Sequence, residues 1–327
     1  MALKTLIEGV REALAEEMER DERVWLLGED VGRKGGVFLA TEGLFDRFGE
    51  ARVLDTPLAE SSIIGVAIGA AMNGTLPVAE IQFADFIHPA FDQIVSEAAR
   101  IRYRSNGDFS CPIVIRAPCG GGVHGGLYHS QSVEAFYGHV PGLKVVIPST
   151  PEDTKGLLKA AIRDPDPVMF FEHKKTYRLI KGEIPEGDYV TPIGKAAVRR
   201  AGERLSVFAW GLMVHYCLQA AEELAGDGIE VEVIDIRSIR PLDKPAILAS
   251  VEKTGRAMVV YEDNLTGGFG AEISAVIAEE GFEFLDAPVV RVAGPDVPGM
   301  PFNKPQEDFF LPNPARIAAA MRKLAAY

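Results

Sequence analysis

The chain has 327 residues, of which 47% are hydrophobic and 25% charged, with a net charge of −13. This composition excludes disordered, collagen-like and disulfide-stapled chains, and an acidic chain without a Lys/Arg-rich run is a poor candidate for nucleic-acid binding. At roughly 150 residues per domain, the length predicts two domains.

The opening stretch, MALKTLIEGVREALAEEMERDE, reads as an amphipathic helix with Leu3, Leu6, Ile7, Val10, Leu14 and Met18 on one face. It is rich in acids and lacks the apolar run of a signal peptide, so a cytoplasmic protein is expected. Val24 to Leu27 reads as a short buried strand that ends at Gly28-Glu29-Asp30. Residues 61–79 carry no charge, but Asn73, Gly74, Thr75 and Pro77 interrupt them. The continuous apolar run, Ile63 to Met72, is too short to span a bilayer and predicts a buried core helix capped by Ser61 and Ser62. Gly65 and Gly69 leave one side of that helix flat enough for another backbone to approach, at a domain or subunit contact.

Leu76 to Ile81 predicts a strand, Ile87 to Arg104 a long helix, and Pro112 to Ala117 another strand before a glycine-rich loop. Leu143 to Ile147 and Val168 to Phe171 read as strands around a helix that starts at a Thr150/Asp153 capping signal and runs through Ile162. Residues 181–192, rich in Gly, Pro and charge and weak in periodicity, read as a linker between two domains. The alternation then resumes, with strands at 205–210, 229–234, 257–261 and 289–292. The matching helices reach to about 225 and cover 243–252, 270–280 and 314–325. Such alternation predicts an α/β fold of mainly parallel sheets covered on both faces, with ligands beyond the strand carboxyl ends. Glu29, Gln82, Ala117 onwards and Glu262 fall there.

Cys111, Cys119 and Cys217 show no zinc spacing and no bridge framework, which fits a reducing compartment. The loop GGGVHGG (120–126) has neither the Lys-Ser/Thr of a P-loop nor a dinucleotide fingerprint, and reads as a flexible active-site loop. Thr266-Gly267-Gly268-Phe269-Gly270 reads as a tight turn rather than an anion cradle. No Gly-x-Ser-x-Gly elbow or His-based metal spacing occurs. His129, just after the glycine-rich loop, is either structural or catalytic. Glu60, between Leu58 and Ile63, is either a helix-dipole carboxylate or a group poised for proton chemistry.

DTPLAE, AEIQFADFIHPAFDQIVSEAAR, LYHSQSVEAFYGHVPGLKVVIPSTPEDTKGLL and KTGRAMVVYEDNLTGGFGAEI carry a resemblance that runs nearly end to end. The chain resembles the β subunits of the thiamine-diphosphate-dependent decarboxylating component of 2-oxo acid dehydrogenases, most of all the branched-chain, 2-oxoisovalerate type. The resemblance implies a pyrimidine-binding domain at 1–187 followed by a transketolase C-terminal-like domain at 188–327, and a heterotetramer of two α and two β subunits. It implies oxidative decarboxylation of 2-oxo acids with reductive acylation of a lipoyl group on an acyltransferase core. It makes Glu60 the cofactor-activating glutamate and His129 the active-site histidine. Leu58 and Ala59 would line the aminopyrimidine, and Glu29, Gln82 and Phe86 would contact the cofactor. Phe83, Ala84 and Asp85 would lie beside the 2-oxo acid, with Phe86, Tyr128 and His129 completing its pocket. Phe86 stands where some branched-chain relatives carry Tyr.

The family's metal-diphosphate motif begins Gly-Asp-Gly and ends in Asn. The sole Gly-Asp-Gly here, at 226–228, has Gly255-Arg256 where that Asn would fall and reads as a plain turn. No magnesium ligand is therefore expected in this chain, and the α subunit would hold magnesium. A structural potassium ion on backbone carbonyls near 111–114 and 161–166 also belongs to the resemblance. The alternatives are a pyruvate or acetoin dehydrogenase β subunit, a non-catalytic scaffold β chain, and a single-chain transketolase-like enzyme.

Overall fold

The computed structural model describes residues 2–327. Strand β1 (Ala2–Thr5) runs into helix α1 (Leu6–Arg20), whose start is fixed by a reciprocal cap. The Glu8 amide donates to the Thr5 hydroxyl, and the Glu8 carboxylate accepts from the Thr5 amide at 2.6 Å. Leu6, Ile7, Val10, Leu14 and Met18 are buried as the periodicity requires. Leu3 is not on that face: it belongs to β1 and is 69% exposed.

Then follow β2 (Val24–Gly28), α2 (Leu44–Phe48), β3 (Val53–Asp55), α3 (Glu60–Met72) and β4 (Leu76–Glu80). α3 is buried on one face only. Ile63, Ile64, Ala67, Ile68 and Ala71 face the core, while Ser62, Gly65, Val66, Gly69 and Met72 are exposed. Nothing packs against either glycine within 4 Å. The expected serine caps do not form: Ala59 is the N-cap, Ser61 lies within the first turn, and its hydroxyl donates to the Pro89 carbonyl. No helix among the described residues is long and apolar enough to cross a membrane.

The helix expected from Ile87 to Arg104 is broken into short pieces. A 3₁₀ turn (His88–Ala90), a π turn (Gln93–Glu97) and a second 3₁₀ turn (Ala98–Arg100) precede α4 (Ile101–Arg104). The changes of winding keep Ile94, Ala98 and Ile101 on the buried side. β5 (Val114–Cys119), α5 (Glu134–Gly138), β6 (Lys144–Val146), α6 (Pro151–Ile162), β7 (Val168–His173), α7 (Thr176–Leu179) and β8 (Lys181–Ile184) complete this half. β8 pairs antiparallel with β1, so the connection to the second half is shorter than the composition of 181–192 suggests.

The chain divides into two compact units. One comprises residues up to Cys119 with Phe136–Ile193; the other comprises Gly120–Ala135 with Gly194–Tyr327. Within the first unit, β6-β7-β5-β4-β2-β3 lie side by side, all parallel. β5 and β7 are buried at every residue, as strands covered on both faces must be. α1 and α6 cover one face, and their ion pairs are largely buried: Glu17 with Arg163 at 2.6 Å, and Glu16 with Lys155 at 2.6 Å and Lys159 at 2.7 Å.

The second unit contains β9 (Ala197–Arg200), β10 (Leu205–Ala209), α8 (Leu212–Ala225), β11 (Val231–Asp235), β12 (Ser238–Arg240), α9 (Lys244–Thr254), β13 (Ala257–Asn264), α10 (Gly270–Glu280), β14 (Val290–Gly294), α11 (Lys304–Phe310) and α12 (Pro314–Ala325). Its sheet runs β14-β13-β10-β11-β9. β9 alone is antiparallel, an edge strand whose two arginines hide it from an apolar-pattern search. α8 and α12 pack on one core, built from Leu212, Val214, Leu224, Ile317, Met321 and Leu324 among others. Gly226-Asp227-Gly228 forms the expected turn after α8, where Asp227 accepts from Arg322 at 2.9 Å. All three cysteines are buried and unbridged.

Candidate active site

The carboxyl ends of β2 and β4 bring two of the expected residues together. The side-chain amide of Gln82 donates to the Glu29 carbonyl at 3.4 Å and to the Asp30 carboxylate at 3.3 Å, and Lys34 pairs with the same carboxylate at 2.8 Å. Glu60 is the first residue of α3, where a carboxylate meets the positive end of the helix. Glu29 feels it. Partial burial, then the negative charges of Asp30 and Glu60, raise the Glu29 carboxyl above its ordinary range, and Lys34 opposes them. Gly28 is needed at this strand end because a Cβ there would lie 2.7 Å from the Glu80 carbonyl oxygen.

Leu58 is 71% exposed and Ala59 half-buried, immediately before Glu60. Phe83 and Phe86 meet edge-to-face at 5.6 Å across a 3₁₀ turn (Ala84–Phe86), with Ala84 buried and Asp85 half-buried. Phe83 also meets Phe38 at 5.4 Å, which in turn meets Tyr177 at 5.4 Å, and the Lys174 ammonium stands 5.7 Å from the Phe83 ring centre.

Sequence reasoning missed what this aromatic group connects to. The Tyr177 hydroxyl donates to Glu172 at 2.6 Å; Glu172 takes a two-pronged contact from Arg116 at 2.6 and 2.8 Å; Arg116 also donates to Glu80 at 2.5 Å. Burial works against the Arg116 guanidinium, but Glu172 and Glu80 outweigh it and hold its pKa above the usual range. Burial pushes the Glu80 carboxyl up against the pull of Arg116. Glu80, Arg116 and Glu172 sit on adjacent parallel strands, so only strand order reveals the network.

Tyr128 and His129 belong to the second unit. Tyr128 ends a 3₁₀ turn (Gly126–Tyr128) and is 69% exposed, and His129 follows it. The glycine-rich loop ahead of them is anchored rather than free. The Gly120 amide donates to the Gln131 carbonyl at 2.9 Å, and later amides reach the carboxylates of Glu262 and Glu307. Glu134 accepts from the Trp210 indole at 2.8 Å. Burial, with the nearby Asp263 charge, pushes the Glu134 carboxyl up to about 8, and burial with Glu262 pushes Asp263 up to about 6. The Thr266 turn holds a carboxylate of its own chain: the Thr266 amide and hydroxyl both donate to Asp296, at 3.0 and 2.7 Å.

Residues 4–180 match the family "Transketolase, pyrimidine binding domain" and 194–317 match "Transketolase, C-terminal domain". Over all 327 residues of both chains, the sequence is 60% identical to the 2-oxoisovalerate dehydrogenase subunit beta of Bacillus subtilis (strain 168). The chain belongs to the 2-oxo acid dehydrogenase β subunits.

Another member of this family, the pyruvate dehydrogenase E1 component subunit beta of the same organism, is 50% identical over the full length of both chains. The mitochondrial 2-oxoisovalerate dehydrogenase subunit beta 2 of Arabidopsis thaliana is 48% identical over 98% of this chain and 89% of that protein. A solved chain titled "Split gene transketolase, inactive beta4 tetramer" matches with a TM-score of 0.79 over 98% of this chain and 97% of that one, at 24% identity, a likeness of fold. Glu29, Glu60 and Gln82 of this β subunit therefore lie in the span matching its pyrimidine-binding domain, and β9 to α11 lie in the span matching the transketolase C-terminal domain.

Proposed function

We propose that this β subunit, with an α subunit, forms a heterotetrameric branched-chain 2-oxo acid dehydrogenase that oxidatively decarboxylates 2-oxo acids and acylates a lipoyl group on an acyltransferase core. The observation that carries the reading is the Gln82 amide bonded to the Glu29 carbonyl at the strand ends of a pyrimidine-binding domain, with the Glu60 carboxylate at the start of α3, in a chain 60% identical throughout to a 2-oxoisovalerate dehydrogenase subunit.

The residues fit one end of thiamine diphosphate. A carboxylate at a helix start, an amide donor and an adjacent phenyl ring suit a flat, hydrogen-bonding aminopyrimidine, with Glu60, Gln82 and Phe86 in those roles and Leu58, Ala59 and Glu29 beside them. They do not fit the diphosphate end, which needs a divalent metal held by oxygen ligands. Among the described residues no group of three His, Cys, Asp or Glu is placed to hold a metal, and Asp227 is engaged with Arg322. The α subunit supplies that half with its magnesium. When bound, the cofactor supplies the electron sink for decarboxylation. Glu60 hydrogen-bonds the pyrimidine ring. Phe83, Ala84, Asp85, Phe86 and Tyr128 shape the acyl pocket. His129 would bind the substrate carboxylate or carbonyl and later exchange a proton with the dithiolane of the lipoyl group. A structural potassium on carbonyls near 111–114 and 161–166, and a cytoplasmic location, belong to the same reading.

Two experiments test it. Calorimetry of the β chain alone with magnesium and thiamine diphosphate should show no tight binding, and adding the α subunit should restore it. Each additional buried methylene is worth about 0.8 kcal/mol, so the reconstituted enzyme should turn over branched 2-oxo acids more efficiently than pyruvate. A preference for pyruvate would move the chain to the pyruvate type within the same family.

A further inference from the structure

The loop from Gly120 to His129 packs closely against a segment 170 to 190 residues further along the chain. A Cβ on Gly121 would lie 2.8 Å from the Met300 methyl carbon, one on Gly126 would lie 3.1 Å from the Phe302 ring, and one on Gly299 would lie 2.3 Å from a Leu127 methyl carbon. The two segments touch at these glycines. Above this apolar seat, built on Met300, Phe310 and Leu311, stand two buried carboxylates. Glu307, from α11, accepts from the Gly122 amide at 2.8 Å and the His124 amide at 3.2 Å, and its second oxygen meets the His124 ring at 2.6 Å. Glu262, from β13, accepts from the Gly121 amide at 2.5 Å and from the Ser132 hydroxyl at 3.3 Å.

Consecutive amides turned to one side form an anion-binding concavity. Here the chain fills it with its own carboxylates, 1% and 5% exposed, and hydrogen bonds to a charged acceptor are about twice as strong as neutral ones. We propose that Glu307, with Glu262, is a positioning residue: together they hold the amides of Gly121, Gly122 and His124 and so fix the loop that presents Tyr128 and His129. His124 thereby has a role separate from that of His129. It caps Glu307 from outside and closes the clamp. The kinetic half of the proposal rests on the reading that His129 acts on substrate and lipoyl group; the structural half does not.

The test uses the α2β2 enzyme carrying Glu307→Ala. Amide exchange read by mass spectrometry on peptides covering 120–129 should speed up about tenfold or more, the loss of a charged hydrogen-bond acceptor, while peptides from α8 and β10 stay unchanged. Turnover should fall at least about tenfold in kcat with little change in the KM for the 2-oxo acid. Glu307→Asp, whose carboxylate is one methylene short of the loop, should show the same pattern in weaker form, and it decides the matter should the Ala variant fail to assemble. Unchanged exchange in 120–129 overturns the clamp. Faster exchange with unchanged kcat overturns the positioning role. Should His129→Ala prove fully active, the reading of His129 falls, while the exchange result still decides whether Glu307 holds the loop.

Discussion

Glu134→Gln isolates the buried acid cluster of the second unit. Glu134 is 2% exposed, accepts from Trp210, and has Asp263 and Glu262 as neighbours. Burial, with the nearby Asp263 charge, pushes its carboxyl up to about 8 in the folded chain against an ordinary value of 4.5. Between those values the folded chain keeps a proton that the unfolded chain has released, so stability falls as pH rises through the window. One proton is worth about 1.4 kcal/mol per pH unit, so moving from pH 5 to 7.5 costs on the order of a few kcal/mol through Glu134 and its neighbour Asp263 together. Glutamine copies the protonated carboxyl, keeps an oxygen for the Trp210 indole and cannot ionise. The variant should match the wild type near pH 5 and exceed it by a few kcal/mol near pH 8. For a unit of this size that is several degrees in Tm. Scanning calorimetry of the chain from pH 5 to 8.5 reads the difference directly. Wild-type and variant Tm curves that run parallel across this range would refute the reasoning, because Glu134 would then be ionised throughout.

Glu60→Gln should leave the fold intact and cut decarboxylation at least a hundredfold, about 2.7 kcal/mol, and near-normal turnover of the reconstituted variant would favour a scaffold chain. His129→Ala should impair acylation of a lipoyl domain more than decarboxylation measured with an artificial electron acceptor; equal losses would leave it only a substrate-binding role. Gly9→Ala sets two effects in opposition. Helix propensity favours alanine by about 1 kcal/mol, but the new methyl would lie 2.8 Å from the Pro151 carbonyl oxygen, and α1 and α6 cannot part without loosening Glu16 and Glu17 from their partners. A net loss of about 1–3 kcal/mol is expected in denaturant unfolding, and a stabilised variant would show that the helix contact yields easily.

The elements most legible in the sequence were those whose signal is local. The apolar face of α1 from Leu6 to Met18, the Thr150 cap of α6, where the Asp153 amide donates to the Thr150 hydroxyl, and the buried strands β5, β7, β10 and β13 each follow from a few consecutive residues. The stretches around Glu60, Gln82 and His129 also sufficed to place the chain in its family. Edge strand β9 was lost because arginines interrupt its apolar pattern, and the π turn at 93–97 because winding changes leave no mark in composition. Tertiary structure alone decided which charges share a burial site. Arg116 lies 36 residues from Glu80 and 56 from Glu172, and Glu307 lies 185 from Gly122, so only sheet order and helix packing bring them together. Secondary structure is set by neighbours within a few residues, whereas a buried charge is settled by whatever partner the fold brings to it.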